Sequence, residues 1–428
     1  MNTTTTGTAA QDAPAVATAG TGQAQCDFLG LAPLMRQAFA KQDLQPYASG
    51  LIERISKLPD DAHALMNLAN TLLLSGSREL ALAAQGEALA LQQLYDIPAT
   101  GIERLRLLVF MAAGDLMANT PLEFLLENSD VALTLLYVGA GIPAPEVLPE
   151  HHAVFIAIGQ SDDNHELLLE LAQVMADWPR PVINAPERIA ALARDKACAL
   201  LRDVETIAMP MSARIPRDCV RLLGQDQMAL TSLLEDGEFP IIVRPVGSHA
   251  GHGLEKISTP AEVSAYLDTV AGEEFFLSRF IDYRSADGLF RKFRIMLIDG
   301  QPFICHMAIS SHWMIHYLNA GMAESEEKRA EEGRFMASFA EDFVPRHAAA
   351  FAAITERLEL DYVGIDCAET PDGKLLIFEA DSDMIVHAMD PVDMYPYKPA
   401  PMQKLFGAFR AMLVKRVNAA IARESEGA

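Results

Sequence analysis

The sequence predicts a mixed α/β protein in which an all-helical part precedes a small parallel α/β domain and a larger α+β body. Three observations support this prediction: a helical pattern up to residue 128, alternating strands and helices from Asp130, and an acid-bearing hairpin at 362–387. The predicted segments are a tail at 1–25 and domains at 26–128, 129–205 and 206–422. The chain has 428 residues, 50% of them hydrophobic, which is enough for several cores.

Composition narrows the possible functions. A net charge of -24 argues against nucleic-acid binding, because phosphate neutralisation needs clustered Lys and Arg. The five cysteines are scattered, without a Cys-x-x-Cys pair, and are predicted to be reduced thiols in a cytoplasm. Residues 1–25 contain no Lys or Arg and no apolar core of a signal peptide, so we expect a disordered tail there. No uninterrupted apolar stretch is long enough to predict a membrane span.

The helical pattern is clearest at 62–95, where two apolar stretches flank a Ser-Gly-Ser turn. Small residues lie where two helices must approach closely, at Ala69, Ala81 and Ala88, and the unit resembles one tetratricopeptide repeat. Further helices are expected at about 30–40, 46–57 and 102–117, as degenerate repeats or caps. Such a unit can present a groove to a peptide or a partner subunit. A helical bundle that pads or dimerises the body is the alternative.

The alternating part predicts a parallel sheet with a crossover helix. Apolar runs of the buried-strand type lie at 131–138, 153–159 and 181–183, with a helical pattern at 165–178. The next helix is expected at 184–201, with Asn184 as N-cap and Pro186 in the first turn.

Further on, a strand ending in Arg244-Pro245 leads into a glycine-rich loop and a return strand. Glycines let a loop backbone approach phosphate oxygens closely and offer N–H donors to them. Two more apolar strands are expected, at 275–281 and 293–300, with Asp287-Gly288 between them.

The hairpin at 362–387 places three carboxylates at the rim of two apolar strands. Asp366 ends the first strand, Glu379 and Asp381 end the second, and a Pro-Asp-Gly turn joins the strands. Because residues i and i+2 of a strand point to one face, Glu379 and Asp381 aim together, with Asp366 roughly opposite. Hard oxygen ligands of this kind hold Mg²⁺ against nucleotide phosphates. The sequence therefore predicts a magnesium site formed by these three residues.

In this order the motifs resemble the ATP-grasp superfamily over about residues 130–420. The metal motif of that family reads Asp, then Glu-x-Asn, and here Asp381 stands in place of Asn, which adds a negative charge. Arg244 stands where the family usually has lysine, a change that keeps the charge and offers a bidentate fork. The resemblance implies ATP contacts from Lys196, Arg244, Gly247, Ser248, Gly251, Gly253, Leu277, Phe280 and Asp282, with adenine against 277–280 and ribose at Asp282.

The resemblance also implies an activity. The chain is expected to be a carboxylate–amine or carboxylate–thiol ligase that depends on ATP and Mg²⁺ and acts through an acyl phosphate. Arg294 matches an arginine that faces the active site of the family. Where many members have a second arginine this chain has Ala308, with His306, His312 and His316 nearby as core or substrate-contact histidines. Arg294, His306 and His312 are therefore the expected catalytic residues.

Two other interpretations stay open at this point. A peptide-modifying ligase or cyclase would grip a precursor peptide with the helical part, whereas a ligase of small amino-acid-like substrates would use that part for assembly, as a homodimer. A protein that binds ATP without turnover is the third possibility. The sequence names neither the carboxylate nor the amine or peptide co-substrate.

Overall fold

A computed structural model describes residues 26–248 and 251–426. The tail expected at 1–25 and the tip of the glycine-rich loop lie outside these residues. The described residues form a mixed α/β structure, which confirms the predicted fold class. They contain three sheets. None of the described helices combines the length and the apolarity needed to cross a membrane.

The elements follow in chain order. The helices are α1 Leu31–Phe39, α2 Gln45–Lys57, α3 Ala62–Leu74, α4 Arg78–Leu91, α5 Leu122–Leu125, α6 Asp162–Met175, α7 Pro186–Ile189, α8 Arg194–Leu201, α9 Arg217–Gly224, α10 Pro260–Thr269, α11 Glu326–Ser338, α12 Phe343–Arg346, α13 Ala348–Leu358 and α14 Pro399–Glu426. The strands are β1 Leu94–Ile97, β2 Leu105–Ala112, β3 Val131–Val138, β4 Ala153–Ile156, β5 Val182–Ile183, β6 Ile207–Ala208, β7 Ser212–Pro216, β8 Ile241–Pro245, β9 Glu255–Ile257, β10 Glu274–Arg279, β11 Phe290–Ile298, β12 Gln301–Ser310, β13 Tyr362–Glu369 and β14 Leu375–Asp381.

Helices α3 and α4 form the predicted antiparallel pair. Asp61 caps α3 by accepting a 3.0 Å hydrogen bond from the backbone N–H of Ala64. The three small residues of the repeat-like pattern are fully buried, as close helix packing requires. The pair packs on the first sheet, with Met66 and Leu89 in the core that this sheet shares with α14, and α4 leads directly into strand β1.

The helix expected at 102–117 is wrong, because this segment contains strand β2. Strand β2 lies inside the first sheet, which has the order β1-β3-β2-β4-β5 and is parallel apart from β1. Its eight-residue apolar run is mostly buried, and hydrophobicity alone does not distinguish such a strand from a buried helix. The helical part therefore ends at α4, and the first sheet begins well before residue 129.

The N-cap expected at Asn184 is also wrong. The helical segment begins at Pro186, after Ala185, and is broken into α7, a 3₁₀ turn and α8. Asn184 is buried with a φ of 57°, and its side chain bonds the backbone of Tyr362 at both ends, with Nδ2 donating to O at 2.8 Å and Oδ1 accepting from N at 2.9 Å. The residue thereby joins the first sheet to β13.

The two remaining sheets approach each other at Arg244 and Glu379, and the space between them is here called the cleft. The smaller one has the order β7-β10-β8-β9 and encloses its own core with α9 and α10, including Val220 and Val263. The larger one has the order β12-β11-β13-β14-β6 and is antiparallel apart from β6. Its register places Asp366 of β13 between Arg294 of β11 and Glu379 of β14. Arg244, near the end of β8 in the smaller sheet, lies within electrostatic range of Glu379.

Candidate active site

Asp366 lies at the centre of the cleft's larger wall and is held by two cations. Arg294 contacts both carboxylate oxygens, Nε to Oδ1 at 2.8 Å and Nη2 to Oδ2 at 3.0 Å, and Lys292 Nζ lies 2.6 Å from Oδ2. The Asp366 side chain is only 1% exposed. Burial alone would raise the pKa of Asp366, but Arg294 and Lys292 together lower it far below its usual range. Asp366 is therefore an ionised carboxylate with its charge fully compensated.

Arg294 itself stays charged despite its burial. Desolvation opposes the charge, but the carboxylate of Asp366 outweighs it and raises the pKa of Arg294. The remaining guanidinium nitrogen, Nη1, donates to the carbonyl of Ile385 at 3.4 Å. The sequence predicted that Arg294 faces the active site; the structure places its side chain on Asp366, and its catalytic role stays a prediction. Lys292, two residues earlier on the same strand face, was missed, although the Lys-x-Arg spacing could have indicated it.

Glu379 receives a cation from a different part of the chain. Arg194, the first residue of α8, forms an ion pair with the Glu379 carboxylate and donates to the carbonyl of Phe378 at 3.1 Å. Burial raises the pKa of Glu379, but Arg194, helped by Lys292 and Arg244, lowers it below its usual value. Four cations thus surround the two carboxylates Asp366 and Glu379.

Lys196, predicted from the sequence as the phosphate-contacting residue of this helix, is exposed. Arg194 occupies the inward position two residues earlier. Because positions i and i+2 lie on different faces of a helix, only one of the two can face the cleft. The direction of α8 relative to the sheets decides which one does, and the sequence did not contain that information.

Arg244 lies beneath the glycine-rich loop. Its Nε donates to Ser248 Oγ at 3.2 Å, and its Nη2 donates to the Ser248 carbonyl. Burial and the nearby charge of Arg194 lower the pKa of Arg244 to about 10, so it stays cationic at neutral pH. Among the predicted glycines, Gly253 has a φ of 66°, and a Cβ there would lie 2.9 Å from the Pro245 ring. Gly247 and Gly251 also have positive φ angles.

The residues predicted to contact adenine and ribose lie in different environments in the structure. The side chain of Leu277 is fully buried in the core between the smaller sheet and helices α9 and α10, so it faces away from the cleft. Its strand, β10, pairs with β7 on one side and β8 on the other. Phe280 is half-buried, and Lys256 Nζ lies 4.5 Å from its ring centroid. Asp282 is exposed and pairs with Arg284 at 2.8 Å. The backbone N–H of Phe280 already donates to Pro240 at 2.9 Å.

The histidines differ in position. His306 lies opposite Arg294 in the β11–β12 pairing, and its ring centroid is 4.4 Å from that of Tyr317. Burial, with Arg294 and Lys398, holds the pKa of His306 well below its usual value, so the imidazole is neutral. His316 is half-buried with a lowered pKa, from burial and Lys292. His312 is exposed and accepts from its own loop, from Met314 N at 3.2 Å. Of the two predicted catalytic histidines, only His306 lies beside Arg294.

The segment after β14 carries polar residues that the sequence prediction did not include. Asp383 is 3% exposed, and its Oδ1 has no hydrogen-bond partner among the described residues. Burial and the neighbouring carboxylate of Asp381 raise the pKa of Asp383. Burial and the charge of Glu379 likewise raise the pKa of Asp381. The Glu-x-Asp-x-Asp spacing was visible in the sequence, but burial of the last residue was not.

The predicted magnesium ligands fit that ion chemically, because carboxylate oxygens are the donors that Mg²⁺ prefers. Among residues 26–248 and 251–426, however, no three His, Cys, Asp or Glu side chains lie around a single position where they could hold a metal ion. Asp366 is occupied by Lys292 and Arg294, whereas Asp381 lacks a comparable cation and its neighbour Asp383 has an unpartnered oxygen. The site made of Asp366, Glu379 and Asp381 stays a prediction.

Comparison with known proteins gives likenesses in structure. No model of a protein family matches the sequence, and no curated protein matches it. A D-Ala:D-Ser ligase, VanG from Enterococcus faecalis, is 12% identical, with 73% of this chain and 100% of that chain covered and a TM-score of 0.44. The D-alanine–D-alanine ligase from Coxiella burnetii is 11% identical, with 75% and 98% covered and a TM-score of 0.46.

A third solved structure is a RimK domain ATP-grasp protein from Sphaerobacter thermophilus. It is 13% identical, with 73% of this chain and 99% of that chain covered and a TM-score of 0.42. By their own descriptions, two of the three structures are ligases and one is an ATP-grasp protein.

Proposed function

We propose that this chain is an ATP-grasp ligase, which uses ATP and Mg²⁺ to activate a substrate carboxylate as an acyl phosphate and then joins it to an amine. One observation is the main support: cations from three separate elements converge on the carboxylate hairpin. Arg194 comes from α8, Arg244 from β8, and Lys292 and Arg294 from β11. A net surplus of cations over the two inner carboxylates suits a polyphosphate.

Arg194 of α8 and Arg244 of β8 are the proposed phosphate ligands. Arg194 and Arg244 now contact Glu379 and Ser248, and both contacts are exchangeable for phosphate oxygens. A guanidinium binds phosphate through two parallel N–H bonds, which fixes the position as well as the charge. Mg²⁺, when bound, would neutralise phosphate charge, and Glu379 and Asp381 would hold it.

Lys292 and Arg294 are the proposed electrostatic stabilisers of phosphoryl transfer. Asp366 fixes both side chains from behind, so that their positions do not have to reorganise when charge develops. The neutral His306 beside Arg294 is the proposed residue that orients the acceptor by a hydrogen bond. In this proposal no protein side chain forms a covalent intermediate.

The direct test measures ADP release from ATP and Mg²⁺ over a panel of carboxylates and amines, with hydroxylamine added to trap an acyl phosphate as a hydroxamate. We expect substrate-dependent ADP release and a hydroxamate that carries the carboxylate. Glu379→Gln should abolish both. Glu369→Gln is the matched control, since Glu369 lies at the far end of the same hairpin and pairs with Arg346 and His347.

Two outcomes would contradict the proposal. Turnover of the Glu379→Gln variant within a few-fold of the wild type would remove that carboxylate from the chemistry. Binding of ATP with no substrate-stimulated ADP release over the panel would instead favour the scaffold that binds nucleotide without turnover.

Adding short peptides to the panel separates a peptide-modifying ligase from one that acts on small amino-acid-like molecules. A homodimer or peptide partner for the helical part stays a prediction.

A further inference from the structure

A cavity of about 60 Å³ lies between the helical part and the first sheet. Its walls come from α1, α3 and α4, from strands β2 and β3, and from the segment that joins β2 to α5. Among the described residues that line it, none belongs to the smaller sheet, the larger sheet or the carboxylate hairpin. The cavity is therefore separate from the cleft, and the proposed ligase reaction does not use it.

Two buried polar side chains line this cavity without a partner. Asn70 of α3 is 9% exposed and Tyr137 of β3 is 7% exposed. Neither the amide of Asn70 nor the hydroxyl of Tyr137 hydrogen-bonds to any of the residues that the structure describes. Buried polar groups in folded proteins nearly always have a partner, so the cavity is expected to hold a polar occupant.

Glu123 adds a charged group to the cavity wall. Its Oε2 accepts hydrogen bonds from the backbone N–H groups of Leu31, at 2.6 Å, and Ala32, at 2.9 Å. A Cβ added at Gly30, where φ is 75°, would collide with this oxygen, so the position of the carboxylate is closely defined. No Lys or Arg of the described residues pairs with Glu123, and the neighbouring charge, on Glu127, is also negative. A largely buried carboxylate of this kind favours a cation as its partner.

The size and the walls of the cavity limit what it can hold. A water-sized group needs roughly 10 to 15 Å³ of such a volume, so the cavity has room for about four groups. Apart from the polar groups the walls are largely apolar, and Leu73, Met111 and Leu116 are among them. Carboxylate, amide and phenol oxygens accept the N–H donors of an ammonium group, and apolar walls suit a short alkyl chain.

We propose that this cavity binds a small primary amine in its ammonium form. The ammonium group donates to Glu123, Tyr137 and Asn70, and a chain of two or three carbons lies against the apolar walls. Because the cavity walls belong to both the helical part and the first sheet, the amine strengthens the contact between them and acts as an effector. The inference goes beyond the proposed ligase function and does not depend on it, and its test uses neither ATP nor a carboxylate substrate.

The experiment titrates ethylammonium chloride into the full-length protein at constant chloride concentration and measures binding by calorimetry. The ligand has only three non-hydrogen atoms, so we expect the wild type to bind it with a dissociation constant of roughly 1 mM. Glu123→Gln, which keeps an acceptor for the α1 backbone but loses the charge, should weaken binding at least tenfold. Tyr137→Phe should weaken it about threefold. Glu127→Gln is the matched control, since Glu127 pairs with Arg36, and it should bind within twofold of the wild type.

Thermal unfolding gives a second readout, because a ligand stabilises the state that binds it. Ethylammonium should raise the melting temperature of the wild type, whereas ethanol, of equal size but uncharged, should not. Tetramethylammonium carries the charge without an N–H donor and should also have no effect. Leu73→Phe fills the cavity and leaves its three polar groups in place, so it should abolish ethylammonium binding. This variant tests the site again if Glu123→Gln folds poorly.

Three results would overturn the proposal. The first is the absence of saturable ethylammonium binding by the wild type. The second is equal stabilisation by ethanol and ethylammonium, which would leave the cavity without selectivity for a cation. The third is affinity retained within twofold in both Glu123→Gln and Leu73→Phe, which would place the amine elsewhere on this acidic protein. Loss of binding in both variants alongside an inactive wild type would keep the amine site and reject only the ligase.

Discussion

Two acids of the carboxylate hairpin, Asp366 within β13 and Asp383 just after β14, are buried to a similar degree but differ in their contacts with cations. Asp366 on β13 is 1% exposed and contacts two cations, one of them through both carboxylate oxygens. Asp383, just beyond β14, is 3% exposed and retains an oxygen without a partner. A buried carboxylate with its cations in place is a permanent part of the structure, whereas Asp383 keeps an acceptor oxygen that none of the described residues uses.

This difference separates two roles that the sequence pattern treats as one. The pattern groups three acids by spacing, and spacing does not show which of them already has a protein partner. In the structure Asp366 positions Lys292 and Arg294, while Asp383, just beyond β14, lies against Gly159 at the edge of the first sheet.

Substitution of Asp366, the acid that contacts two cations, should lower the free energy of unfolding the most. Asp366→Asn leaves Lys292 and Arg294 mostly buried without their counter-charge, and we expect a loss of about 3 to 5 kcal/mol in the free energy of unfolding by urea. Asp299→Asn, at an ion pair with the more exposed Lys415 and Arg416, should lose less than about 1 kcal/mol. Equal losses would show that the Asp366 cluster is energetically ordinary.

The same variant has a defined pH dependence. The folded-state pKa of Asp366 is depressed, so its contribution is present above the ordinary pKa of an aspartate and is lost as pH falls through the folded value. The stability gap between wild type and Asp366→Asn should therefore be constant near neutral pH and narrow only in strong acid. A gap that narrows already between about pH 8 and 6 would point to a different group.

Substitution of Arg194, which we propose exchanges Glu379 for phosphate, should affect ligand binding more than the free energy of unfolding. Arg194→Ala should weaken binding of a non-hydrolysable ATP analogue by about 1 to 3 kcal/mol, roughly fivefold to 150-fold, because a charge-assisted phosphate contact is lost. Lys196→Ala, on the exposed side of the same helix, should leave the affinity unchanged. Calorimetry on both variants decides between them, and the reverse result would restore the lysine as the phosphate ligand.

Glu123 of α5 is a further acid, outside the carboxylate hairpin, whose charge is affected by burial. Glu123 accepts hydrogen bonds from the backbone N–H groups of Leu31, at 2.6 Å, and Ala32, at 2.9 Å, at the start of α1. Burial raises the pKa of Glu123 to about 7 despite these bonds. Its stabilising contribution is therefore complete below the ordinary pKa of a glutamate and is lost as pH rises through about 7.

Glu123→Gln keeps an acceptor for both N–H groups but cannot ionise. Between about pH 5 and 9 the wild type should lose about 1 to 2 kcal/mol more stability than this variant, measured by urea unfolding at each pH. Parallel pH profiles for the two proteins would show that Glu123 is ionised throughout and that burial does not raise its pKa.

The smallest effect is expected at Ser382, whose buried hydroxyl has no partner among the described residues. Ser382→Ala removes a buried Oγ that bonds nothing among the described residues, so stability should stay unchanged or rise by up to about 1 kcal/mol. Thr120→Val, which removes the donor to the Ser382 carbonyl, should instead cost about 1 kcal/mol. A clear loss in Ser382→Ala would show that its hydroxyl has a partner, such as a bound water.

Local pattern was sufficient for several elements. The parallel strands β3 and β4, the strand–loop–strand at Arg244 and the hairpin with its Pro-Asp-Gly turn lie where the sequence placed them. Each has a signal within a few residues, such as an apolar run of strand length or a turn-forming tripeptide. Strand β2 had an apolar run but no such distinguishing signal, and it was assigned to a helix.

The sequence by itself determined the mixed α/β class, the acid-bearing hairpin and the inward position of Arg294, because strand periodicity and turn chemistry are local properties of the chain. Only the tertiary structure decided that Arg194 rather than Lys196 reaches Glu379, that Lys292 shares Asp366 with Arg294, and that Asp383 is buried against Gly159. These pairings join residues far apart in the chain. They depend on how sheets and helices pack, which spacing along the sequence does not encode.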